Sequence, residues 1–165
     1  MDLINPMHIA TKSSKIDITS EKDTKSISQK LSNYVSDGDI VFLYGDIGIG
    51  KTTFIKYFIN YLQLKSNIRE TEIPSPTFNL VIEYQVKDLT INHYDLYRIR
   101  HEEELKNIGL FENYESTLTF VEWPEIIKEK PTNRIELIFN YEENFLKRSL
   151  IVSSDYKKEI VYAFK

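Results

Sequence analysis

Cysteine is absent from the 165-residue chain, which excludes disulfides, thiolate nucleophiles and cysteine-ligated zinc or iron–sulfur centres. The absence fits a reducing compartment. No apolar run approaches the roughly 20 residues that cross a bilayer, and residues 1–14 lack the basic and long apolar regions of a secretory signal. A soluble, cytoplasmic protein with a loosely ordered leader over 1–14 is expected. Neither sign of charge dominates: 21 basic residues stand against 25 acidic ones, a net charge of −4, and there is no long basic run to grip a nucleic-acid backbone. DNA and membranes are not expected as partners, and any RNA would be held by another protein. Repeats and linkers are lacking too, so 15–165 reads as a single α/β domain with one buried core.

Glycine is scarce, with five in all, yet three fall between 45 and 50. They belong to Gly45-Asp46-Ile47-Gly48-Ile49-Gly50-Lys51-Thr52, which meets the phosphate-binding pattern G-x-x-x-x-G-K-[ST] at every fixed position. The mechanism behind that pattern requires a strand before the loop and a helix after it. Ile40-Val41-Phe42-Leu43-Tyr44 is β-branched and aromatic and reads as a buried strand, while 52–64 reads as a helix. The glycines let consecutive backbone N–H groups turn inward on phosphate oxygens, and the helix adds its unpaired N–H groups and positive dipole end. Lys51 is placed to reach the β- and γ-phosphates, and Thr52 to bind a magnesium ion that bridges them. Guanine-specific proteins of this class carry an Asn-Lys-x-Asp segment, which is missing here. ATP is therefore the expected ligand.

The remaining chain fits an α/β fold of the P-loop NTPase type: a central, mostly parallel sheet flanked by helices, with antiparallel strands toward the C-terminus. A short strand is expected at 15–18, then a helix capped by Ser20 with Ile27, Leu31, Tyr34 and Val35 on one face. Two prolines in Ile73-Pro74-Ser75-Pro76-Thr77 force an extended, exposed loop. Strands at 78–86 and 89–94 read as a hairpin or as two neighbours, and a helix at 102–108 is closed by Gly109. A buried strand at 117–121 delivers Glu122, Pro124 opens a helical turn, and strands are expected at 134–141, 149–153 and 159–164.

Phosphoryl chemistry also needs acids that orient magnesium and the attacking group. Glu122, at the end of an apolar strand, is one; the alternative is an acid capping the turn at Trp123-Pro124. Asp95 also ends a strand, and either holds a metal-bound water, acts as a base, or forms a surface ion pair with Arg98 or Arg100. His93 lacks enough neighbouring ligands for a transition-metal site and reads as a structural histidine. Thr77 either senses the γ-phosphate as a switch loop does or belongs to a turn that the prolines simply stiffen. Trp123, the single tryptophan, either stacks near the site or anchors the core.

Four segments, GDIGIGKTTF at 45–54, SPTFNLVIEY at 75–84, HYDLYRI at 93–99 and VEWPE at 121–125, occur in an order and spacing that resemble the TsaE family, also known as YjeE. The likeness runs from about residue 16 to the C-terminus. It implies the ATPase component of bacterial tRNA threonylcarbamoyladenosine synthesis, joining TsaD and TsaB and touching tRNA only through them. TsaC-type enzymes make the threonylcarbamoyl-adenylate and TsaD, aided by TsaB, transfers the group. ATP hydrolysis, slow alone and stimulated by the partners, resets the complex between turnovers. By the same resemblance, Gly45, Asp46, Gly48, Ile49, Gly50, Lys51, Thr52 and Thr53 hold the nucleotide, and Thr52 and Glu122 bind magnesium. Lys51, Glu122 and Asp95 form the catalytic set, while Glu21 meets the base or ribose. Arg148 is the candidate basic nucleotide contact, beside Lys147 in a stretch that matches the family less well. Ile49 stands where the family commonly has alanine, at a position that contributes its N–H rather than its side chain. A small-molecule kinase with Asp95 as base, and an assembly factor gated by ATP binding alone, remain the competing functions. No cluster of arginines suggests the lid a kinase would use to exclude water.

Overall fold

The structure is a computed structural model that describes residues 11–165. Strands β1 (Thr11–Lys12) and β2 (Ile16–Asp17) precede helix α1 (Glu21–Leu31), strand β3 (Ile40–Tyr44) and helix α2 (Lys51–Lys65). The hairpin strands β4 (Val81–Val86) and β5 (Leu89–Asp95) come next, then helix α3 (Glu104–Asn107) and strand β6 (Leu118–Glu122). Strands β7 (Arg134–Glu142) and β8 (Lys147–Ser154) and helix α4 (Lys158–Ala163) complete the chain. Residues 1–10 of the expected leader lie outside the described residues. Its later part is paired, because Thr11 and Lys12 lie antiparallel to Ser154 and Ser153.

The strands form one sheet in the order β1-β8-β7-β3-β6-β5-β4, with β2 also paired to β8. The four central strands are parallel: β3 runs beside both β6 and β7, and β6 beside β5. The outer pairs β4–β5 and β7–β8 are antiparallel. Because alternate side chains of a strand point to opposite faces, β3 divides its residues between two cores. Val41 and Leu43 pack with Phe54, Phe58 and Ile59 of α2, while Ile40 and Phe42 pack on the other side with Leu96, Leu105 and Ile127. The doubly buried, near-continuous apolar run of β3 is what a central parallel strand requires.

Local chemistry explains the element ends. Ser20 caps α1 by accepting the Asp23 N–H at 3.1 Å. That helix stops at Leu31, so Tyr34 and Val35 reach the core from the turn that follows it. The Pro74 and Pro76 segment stays irregular, and β4 begins at Val81 rather than at 78, because 77–79 form a turn that leaves Phe78 84% exposed. The helix expected over 102–108 is reduced to one turn, closed at Gly109 with φ 65°.

The largest departure lies at the C-terminus, where 159–164, expected as a strand, is part of α4. Ile160, Val161 and Phe164 are buried together and Tyr162 points outward, a helical rather than an alternating spacing. Its β-branched and aromatic content favours a strand locally, but packing against the α2-side core decides the outcome. Asp39, just before β3, anchors the entry to this helix by accepting from Tyr156 Oη and Lys157 Nζ. Burial, with Asp39 beside it, holds the Tyr156 hydroxyl well above the ordinary tyrosine range.

The helical assignment predicts unequal effects at two positions that a strand would place on one face. Ile160→Ala should lower unfolding free energy by about 2–5 kcal/mol, whereas Tyr162→Ala should change it by no more than about 0.5 kcal/mol. Urea denaturation of both variants measures the contrast; similar losses would contradict it.

Candidate functional site

The loop between β3 and α2 is shaped by close packing beneath it. Gly45 has φ 141°, and a Cβ there would lie 2.9 Å from both Cβ and the carbonyl oxygen of Phe139 on β7. Only a residue without a side chain lets the loop approach that strand. Gly50, with φ 112° and ψ 18°, sits at the N-cap of α2 and turns the chain into the helix. Ile49 drives its side chain into the core, so the bulk at this position is absorbed below the loop rather than in the cradle.

Lys51 opens the helix and is 4% exposed. Its ammonium donates to the carbonyl oxygens of Gly45 at 2.5 Å and Asp46 at 3.0 Å. It also lies 3.9 Å from the centre of the Trp123 ring. Burial lowers its pKa from the ordinary lysine value, opposed by the charges of Glu122, Glu125, Asp95 and Asp46. Trp123 is therefore a wall of the site, held with φ 59° and ψ 53° at the end of β6 and packed on Tyr97 with ring centres 4.9 Å apart.

Beside the loop, β5 and β6 end level with each other, and their parallel register pairs Asp95 with Glu122. Both are 3% exposed. Glu122 Oε1 accepts from Thr52 Oγ1 at 2.8 Å and lies 2.8 Å from His93 Nε2. It is thus a site carboxylate rather than a cap for the turn at Pro124. Asp95 Oδ2 accepts from Thr77 Oγ1 at 2.6 Å and Ser75 Oγ at 3.2 Å, and Oδ1 accepts the Tyr97 N–H at 2.9 Å. These bonds tie the two-proline loop to the end of β5. The alternative ion pair with Arg98 or Arg100 does not form among the described residues, and Arg98 instead stacks 5.1 Å from the Phe78 ring centre.

The loop, Thr52, Thr53, Thr77, Asp95, Glu122 and Trp123 enclose a cleft of about 260 Å³. A second cleft, of about 300 Å³, is lined by Glu21, Thr24, Gly50, Thr53, Tyr57 and Arg148, so the two meet across Gly50 and Thr53. Of the candidate residues, Gly48, Ile49, Gly50, Lys51, Thr52, Thr53, Asp95 and Glu122 line the first cleft and Glu21 and Arg148 the second, while Gly45 and Asp46 lie earlier in the loop and His93 is buried behind it. Arg148, rather than Lys147, faces the second cleft; its guanidinium donates to the carbonyls of Thr19 at 2.8 Å and Ile49 at 3.3 Å. Lys147 pairs with Glu143 at 2.9 Å.

Two site residues escaped sequence reasoning. Tyr57 donates its hydroxyl to Glu21, and burial together with that bond raises its pKa to about 12. The helical spacing of Gly50, Thr53 and Tyr57 was the available signal. Tyr97 closes the first cleft against Trp123, and nothing local distinguishes it from the neighbouring tyrosines.

A profile of the family described as Threonylcarbamoyl adenosine biosynthesis protein TsaE matches residues 18–150. The chain belongs to the TsaE family. The tRNA threonylcarbamoyladenosine biosynthesis protein TsaE of Rickettsia conorii is 36% identical over 149 residues, covering 81% of this chain and 83% of that one. The Bacillus subtilis protein of the same name is 34% identical over 119 residues, 71% of each chain. A crystal structure of Bacillus subtilis YdiB superposes with a TM-score of 0.70 at 24% identity, covering 94% of this chain and 95% of the other, and shares the fold. Family membership places the chain in threonylcarbamoyladenosine biosynthesis and accounts for a nucleotide-binding loop at the centre of this TsaE fold.

The fit of Gly45 against β7 predicts that Gly45→Ala lowers the stability of this TsaE protein by about 1–3 kcal/mol through overpacking. The expected readout is a lower urea midpoint at an unchanged slope; an unaltered midpoint would show that the loop can withdraw from Phe139 without penalty.

Proposed function

We propose that this TsaE protein binds ATP with magnesium and hydrolyses it, slowly alone and faster with TsaD and TsaB, to reset the tRNA-modifying complex between turnovers. The observation that carries this reading is the convergence of Lys51, Thr52, Glu122 and Asp95 on one cleft at the N-terminus of α2. The second buried carboxylate, Asp95 beside the Glu122 metal side, favours turnover over an assembly factor gated only by binding.

The donor set suits magnesium. Thr52 and Glu122 are hard oxygen donors in hydrogen-bond contact, and no cluster of three or more His, Cys, Asp or Glu able to hold a metal occurs among the described residues. A site with so few protein oxygens matches an ion that keeps several waters and relies on substrate phosphates. Bound there, magnesium would neutralise charge on the β- and γ-phosphates. The chain's own residues do the rest. Lys51 leaves its two carbonyl partners to meet the phosphates, and the loop N–H groups and helix end stabilise their charge. Glu122 orients the metal side of the site. Asp95, which accepts from the Thr77 hydroxyl at 2.6 Å, positions the attacking water. Glu21 and Arg148 bound the second cleft, which receives the nucleoside.

Lys51→Ala should weaken ATP binding about tenfold or more, because a charge-assisted contact contributes about 1.5–3 kcal/mol; unchanged affinity by calorimetry would remove the phosphate-loop role. Glu122→Gln should leave affinity for a non-hydrolysable ATP analogue within about threefold while hydrolysis with partners present falls about 100-fold or more. For the pathway role, multiple-turnover tRNA modification by TsaD and TsaB should depend on this chain and on hydrolysable ATP. Equal turnover without the chain would reject that role.

A further inference from the structure

His93 is fully buried on β5, and the only hydrogen-bonding partner of its ring among the described residues is the Glu122 carboxylate. Strand alternation and register place it there: Ile91, His93 and Asp95 share the α2 side of the sheet with Leu118, Phe120 and Glu122 of β6. Its other ring nitrogen, Nδ1, is buried without a partner. A carboxylate oxygen accepts, so the tautomer that carries its hydrogen on Nε2 makes this contact a hydrogen bond donated to Oε1. A residue serving only to fill this apolar space would do so better as Phe or Leu, with no polar ring atom left unpaired.

The geometry points to His93 as a positioning residue for Glu122. This inference rests on the ATPase reading above and deepens it. The terminal torsion of a glutamate is broad and roughly two-fold, so a lone donor defines its orientation poorly. Here two donors from different elements, Thr52 on α2 and His93 on β5, converge on Oε1 at 2.8 Å each. They fix the plane of the carboxylate and leave Oε2, which has no protein hydrogen bond among the described residues, for the cleft. When nucleotide and metal engage the Thr52 hydroxyl, the bond from His93 still holds Glu122 in place. Hydrogen bonds behind a ligating group of this kind typically change metal affinity or activity by about 10–100-fold when removed.

The test compares His93→Phe, which removes the donor, with His93→Gln, which keeps a side-chain N–H. Binding of a non-hydrolysable ATP analogue without metal, binding of Mn2+ to the analogue-loaded protein by electron paramagnetic resonance, and hydrolysis with TsaD and TsaB are all measured, together with thermal midpoints. His93→Phe should leave metal-free analogue binding within about twofold. Mn2+ affinity and the turnover rate should each fall about 10–100-fold, and His93→Gln should recover most of both. In a Glu122→Gln background, adding His93→Phe should reduce hydrolysis no further, since the group it positions has been disabled. The inference is overturned if His93→Phe leaves Mn2+ affinity and turnover intact, if both His93 variants lose activity in proportion to their thermal midpoints, or if the two substitutions add fully. Loss of hydrolysis in Glu122→Gln with normal His93→Phe rejects the positioning role alone; normal hydrolysis in Glu122→Gln rejects both the positioning role and the catalytic reading of Glu122.

Discussion

The parallel register of β5 against β6 is the constraint on which the site depends. Pairing Asp95 with Glu122 brings two acids from distant segments to the same level of the sheet and the same face. A slip of one residue in either strand would carry one carboxylate to the opposite face, among Tyr94, Val121 and Leu96. The apolar pattern prevents this. Ile91, Leu118 and Phe120 need the α2 side, while Tyr94 and Val121 need the other, so burial of the core and placement of the acids are the same requirement.

The phosphate loop is held from below and from the side. Gly45 presses on β7, Ile49 fills the core under the loop, and Arg148 of β8 grips the Ile49 carbonyl while also binding Thr19 ahead of α1. Strands far apart in sequence therefore shape one turn of eight residues. In the structure described, Lys51 satisfies two loop carbonyls and the Trp123 face. A phosphate competes with neutral acceptors already in place, so part of its attraction is spent on releasing the side chain.

Much of this was legible because it is local. The strand, glycine loop and helix around GDIGIGKT, the Ser20 cap, the β4–β5 hairpin and the acid ending β6 all leave signals within a few residues. What stayed hidden is non-local. β7 lies parallel to β3 on one side while pairing antiparallel with β8 on the other, and no short window reports which strands become neighbours. His93 looked structural for the same reason: its role depends on an acid 29 residues away reached through strand pairing. The C-terminal helix was misread because Ile160, Val161, Tyr162 and Phe164 carry strand propensity, and a core formed by the rest of the chain overrides it.

The meeting of the two clefts at Gly50 and Thr53 has a consequence for selectivity. A molecule that fills only one of them, such as inorganic phosphate or a bare nucleoside, gains the contacts of that half alone. A molecule long enough to span the helix end engages the second half at a high effective concentration, as the two arms of a chelate do. Under the proposed ATP-binding role, the two-cleft arrangement would add selection by length to selection by charge.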